Sequence, residues 1–81
     1  MELHENLNMA RENVQREMLR IGELMPDYMD TAAAISHVRH VLHMLSIIND
    51  AERLASSGFT EYANRCAEKV ASIPEFKPNL A

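Results

Sequence analysis

The sequence predicts an all-α protein: a long antiparallel helical hairpin plus a short third helix, dimerising into a helical bundle. Three observations carry this expectation. Apolar residues recur at helical spacing in three stretches, and none of them alternates as a half-buried strand would. The two glycines and three prolines fall at the ends of those stretches, where helices start and stop. The middle stretch also carries an apolar arc too wide for one antiparallel neighbour to cover.

The first helix is expected over about 2–25. Leu3, Leu7, Ala10, Val14, Met18, Ile21 and Met25 are spaced by three and four residues, an eleven-residue repeat. At about 3.67 residues per turn this keeps a narrow stripe on one side of a nearly straight helix. The reverse face, with Glu5, Glu12, Arg16, Arg20 and Glu23, is expected in solvent, and Glu12 and Arg16 stand in the favourable i,i+4 order. Gly22 weakens the last turn. Pro26 breaks the helix, and Asp27 and Asp30 are candidate N-caps for the next. So short a connection folds the first two helices into a hairpin.

The second helix, about 30–57, organises the rest. Ile35, Val38, Val41, Leu42, Leu45 and Ile48 lie within an arc of about 140° at 100° per residue, opposite Arg39, Ser46 and Asp50. Past Ile48 that arc is continued by Asn49 and Glu52, while Ile47, Ala51, Leu54 and Ala55 carry the apolar side round the helix. This turn of the buried face is expected to receive the third helix. The competing reading keeps Asn49 and Glu52 in a seam as register-setting polar residues.

Gly58 stands where a C′ residue belongs, and Thr60 with Glu61 offers an N-cap and a first-turn acid for a helix over about 60–72. Its expected apolar side is Tyr62, Ala63, Cys66, Ala67, Val70 and Ile73. Residues 1–73 then form a single helical domain. Pro74 and Pro78 bar further helix, so 74–81 is expected as an extended or disordered tail, dispensable for folding, with Phe76 its one possible anchor. Leu54, Ala55, Gly58, Glu61, Ala63, Glu68, Lys69, Ile73 and Pro74 are similar to the second half of a tetratricopeptide repeat. That resemblance covers about twenty residues and a single repeat, where a solenoid needs about three. It implies a close-packed helical hairpin.

Composition narrows the function classes. A chain of 81 residues buries only about 60% of its unfolded surface, which favours self-association. Twelve acidic against eight basic residues leave a net charge of −4, with no basic cluster to hold a phosphate backbone, so nucleic acid is not an expected partner. No apolar run approaches the ~20 residues of a membrane span, and there is no basic, apolar leader. With the single Cys66, these features point to a soluble, cytoplasmic protein without disulfides.

No catalytic, cofactor or metal motif emerges. His37, His40 and His43 recur every third residue, but on a helix they fan over about 120° and cannot converge on one ion. His37 and His40 are expected at the border of the core with one ring nitrogen wet, and His43 in solvent. Three histidines beside Arg39 also predict a weak pH response near pH ~6.5. Cys66 is expected as a buried, inert thiol, and Met18, Met25 and Met44 as core. Ser36-His37-Val38-Arg39-His40 resembles the phospho-accepting helix of dimeric histidine kinases and sporulation-type phosphotransferases. That resemblance implies a hairpin dimerising into a four-helix bundle, with an exposed His37 or His40 as acceptor.

The main expectation is a small non-catalytic interaction module, an adaptor, anti-activator or client-specific chaperone, acting as a homodimer. Its dimer or partner interface is Ile35, Val38, Leu42 and Leu45, continued by Asn49 and Glu52. Met9, Leu19 and Met29 point away from their helix stripes and form a second contact surface.

Overall fold

The computed structural model describes residues 2–28 and 31–78. Among them are three α-helices, α1 (Leu3–Leu24), α2 (Thr31–Ser56) and α3 (Thr60–Ala71), with a 3-10 turn at Met25–Asp27 and no strand. The protein is all-α, and α3 packs against both α1 and α2. Its extents of 45 × 18 × 16 Å follow from α2, whose 26 residues span ~39 Å at 1.5 Å per residue.

The connections follow from local chemistry. Pro26 lies inside the 3-10 turn that ends α1, and Asp27 lies there with it rather than capping α2. The other candidate cap, Asp30, falls outside the described residues, as does Met29. Gly58 takes φ 90°, a left-handed conformation that only glycine adopts without strain, and the Phe59 amide reaches back to the Leu54 carbonyl at 2.9 Å. Thr60 is already helical, and Phe59 occupies the N-cap position without a side-chain cap bond.

The core is a seam of small and medium side chains. Leu7, Ala10 and Val14 from α1 meet Val41, Met44, Ile48 and Ala51 from α2, and Ala67 and Val70 from α3 complete the cluster. Ala10, Ala51, Ala63 and Ala67 are fully buried, and the small side chains let the helices approach closely. Polar ties fix α1 to α3. Asn6 Nδ2 donates to Asn64 Oδ1 at 2.7 Å, and Asn13 Nδ2 donates to the carbonyls of Val70 and Ala71 at 3.1 and 3.0 Å. Asn13 thereby supplies a donor to the Ala71 carbonyl at the end of α3, and a second donor to the Val70 carbonyl, which also accepts from the Ile73 N–H at 3.2 Å.

The buried stripe of α1 departs from expectation past Val14. Met18 and Met25 are 57% and 54% exposed, and the fully buried residue of that turn is Glu17. Leu7, Ala10, Val14, Glu17 and Ile21 advance by three and four residues, so a carboxylate continues the inward row. Tyr62, expected inward, is 59% exposed and carries the Arg65 guanidinium over its ring at 5.8 Å. Cys66 is a half-buried free thiol packed against the core.

Candidate functional site

Two features stand out, and the first is a polar network sealed among α1, α2 and the segment after α3. Glu17 and His37 have side chains with no exposure, and His37 Nε2 lies 2.8 Å from Glu17 Oε1. The other ring nitrogen, Nδ1, lies 2.5 Å from the Tyr28 hydroxyl. With Glu17 ionised, Nε2–H donates to the carboxylate, and in the neutral ring Nδ1 accepts the Tyr28 O–H. Arg16 donates to Oε2 through Nε and Nη2 at 3.2 and 3.0 Å, and Arg20 Nη1 donates to Oε1 at 2.7 Å. The Phe76 backbone N–H completes the set, donating to Oε2 at 3.2 Å.

These donors settle the charge of the carboxylate. Burial opposes ionisation, but the His37, Phe76 and Arg16 hydrogen bonds and the nearby Arg20 charge outweigh it, lowering Glu17 from 4.5 to about 2. Burial raises the Tyr28 phenol above its ordinary 10; the Arg20 charge opposes the rise and Glu17 adds to it. Arg16 and Arg20, expected on a solvated face, instead fold back over Glu17, Arg20 with only 20% of its side chain exposed.

Phe76 closes the site from the tail. Its ring stacks on His37 with centroids 4.4 Å apart and planes 17° from parallel, and lies 5.0 Å from His40. Next to it, Glu75 accepts from Arg20 Nε at 2.9 Å. The anchor foreseen at Phe76 is therefore engaged, against the expectation that the tail offers little packing: it gives Glu17 a donor and His37 a covering ring. The expectation that one nitrogen of His37 stays wet is also corrected, since both are bonded inside the protein. His40 Nε2 is buried and has no hydrogen-bond partner among the described residues. An unsatisfied group of this kind costs about 1–3 kcal/mol.

Burial lowers the His40 pKa below 6.5, the Glu17 charge raises it in opposition, and the charges of His37, His43 and Arg16 lower it further. The folded state therefore holds fewer protons at His40 than the unfolded chain does near pH 6. Stability is present in full above 6.5 and falls as the pH drops through it. Glu17 acts in the same direction further down, its contribution intact above 4.5 and lost towards 2. We expect a lower melting temperature at pH 5.5 than at 7.5 and a steeper decline below pH 4.5. Equal melts at 5.5 and 7.5 would remove the His40 contribution.

The Tyr28–His37–Glu17 chain has the order of a charge relay, but its hydroxyl is enclosed, Tyr28 being only 7% exposed. The arrangement suits holding three elements in register. Phosphotransfer at His37 would need an open nitrogen, and the ring offers none. No group of three or more His, Cys, Asp or Glu among the described residues is placed to hold a metal ion.

The second feature is an apolar row on α2. Ile35, Val38, Leu42 and Leu45 are 48%, 41%, 58% and 37% exposed, about 120° round the helix from the buried row of His37, Val41, Met44 and Ile48. Asn49 and Glu52 are exposed at its C-terminal end. Arg11 and Gln15 of α1 line one cleft with Leu45, Asn49 and Glu52, and Arg11 Nη2 lies 3.2 Å from Glu52 Oε2. Met18 continues the Arg11 and Gln15 side of α1 by one turn. The apolar row thus borders an open groove between α1 and α2. Met9 and Leu19 are 40% and 69% exposed on other sides of α1.

Fold and surface together define a three-helix domain with one sealed polar centre and one uncovered apolar helix face. No protein-family model matches the chain, nor does any curated protein or solved structure. No helix among the described residues is long and apolar enough to cross a membrane.

Proposed function

We propose that the protein is a non-catalytic interaction module that works as a homodimer through the exposed face of α2 and binds another protein. The observation that carries this reading is the symmetry of the exposed row. Ile35, Val38, Leu42 and Leu45 are spaced three, four and three residues apart, the same from either end. An antiparallel second copy on a two-fold axis sets Ile35 against Leu45 and Val38 against Leu42 in both halves of the contact. This is the self-complementarity an isologous interface requires.

Removing four large apolar side chains from water is also the main gain open to so small a domain. The groove beside Met18 adds apolar surface from α1. The resulting assembly is a bundle with α2 of each copy at its centre and α3 on the outer side. Light scattering of the wild-type chain at micromolar concentration is the test, with an expected mass of two chains. A mass of one chain across the concentration range would end the dimer reading.

A further inference from the structure

We propose that the slot over Glu17 is a recognition site for an extended polypeptide bearing an acidic residue followed by an aromatic one, held closed in the free protein by the chain's own residues 74–78. Every anchor needed for such a ligand is on the helices. Arg20 takes the acid, at 2.9 Å to Glu75. Glu17 takes the next backbone N–H, at 3.2 Å from Phe76. His37 and His40 form the wall for the aromatic ring, at 4.4 and 5.0 Å. One backbone group and two consecutive side chains are thus read together, which specifies both a short motif and an extended chain direction.

The resident segment has the marks of a detachable occupant. Its residues have no regular secondary structure, and Pro74, Glu75 and Lys77 are exposed. Prolines at 74 and 78 favour an extended shape before docking, so little freedom is lost on docking or gained on release. The His40 Nε2 beside the ring finds no partner among the described residues, so an incoming segment bringing a polar group to that atom would gain a contact that residues 74–78 do not make. The tether joins Ala71, the last residue of α3, to Glu75 through three residues, which keeps the tail at high effective concentration. A partner carrying the motif must displace it, and free protein in the cell stays closed to chance apolar segments. This site is separate from the α2 face, and its test does not depend on the oligomeric state.

The experiment uses the full chain with Phe76→Ala, its helicity checked by circular dichroism, and a fluorescent peptide with the sequence of residues 72–81. Anisotropy should show this variant binding the peptide at least about tenfold more tightly than wild type, whose own tail competes in cis. Adding Arg20→Ala, or replacing the acidic and aromatic positions of the peptide by alanine, should weaken binding by about tenfold or more. A second peptide that keeps only the acidic–aromatic pair in an unrelated extended sequence should still bind.

Binding indifferent to that pair, or equal binding by wild type and variant, overturns the proposal. If Phe76→Ala does not fold, the wild-type chain is titrated with unlabelled peptide while the Phe76 amide is followed by NMR. A shift to its free-tail position supports the proposal, and no shift at millimolar peptide overturns it. Contacts between Phe76 of one copy and His37 of another, in a mixed-label wild-type sample, would assign the slot to a second copy's tail and overturn the partner reading.

Discussion

Replacing Glu17 by alanine should lower the melting temperature by about 15 °C or more at pH 7. The carboxylate is fully buried and accepts from His37, Arg16, Arg20 and the Phe76 amide. Truncation removes the acceptor and leaves the His37 Nε2–H and the Phe76 N–H enclosed with nothing to donate to. Removing one partner of a buried pair costs about 3–5 kcal/mol. In a domain this small each kcal/mol shifts the midpoint by about 4–8 °C. Glu12→Ala on the exposed side of the same helix is the control, with an effect inside about 0.5 kcal/mol. If the two variants melt together, the network does not hold the fold.

Leu42→Glu should halve the mass seen by light scattering while leaving the helical signal unchanged. Leu42 is 58% exposed in the single chain, so a charge there disturbs nothing inside the protomer. In the proposed dimer it faces Val38 of the second copy, and the two-fold brings in two such charges. A carboxylate enclosed in an apolar contact without a partner costs several kcal/mol per ion. His43→Glu, one residue further along and on the outer side, should keep the dimer. A Leu42→Glu variant that retains the wild-type mass would move the interface elsewhere, and one that unfolds would show that Leu42 serves the protomer core.

Helix boundaries were legible in the sequence because caps and breakers act within a few residues. The expected 2–25, 30–57 and 60–72 stand beside the observed Leu3–Leu24, Thr31–Ser56 and Thr60–Ala71, and Gly58 does what a C′ glycine does. The exposed row on α2 was legible as well, since the width of its apolar arc exceeds what the narrow stripe of α1 can cover. The polar centre was not. Glu17 and Met18 are adjacent positions at the edge of the same stripe, and an apolar count gives the inward place to Met18. What reverses the order is a set of donors 20 and 59 positions away, His37 and Phe76, which no local pattern announces. One hint was present: Glu17 keeps the three-and-four spacing of Leu7, Ala10 and Val14, with an arginine on either side of that turn. Tyr28 was missed for the same reason, since its only cue is the histidine nine residues on.

The Phe76 amide on Glu17 also sets an order of events during synthesis. Glu17 and His37 are made first, and the group that completes their enclosure comes 39 residues after His37. At roughly 5–20 residues per second that interval is about 2–8 s. The Glu17–His37 pair cannot be enclosed within that interval, so its final packing is deferred until translation has passed Phe76. Ribosome pausing in the codons for α3 would lengthen the interval in which this chain is most open to wrong contacts.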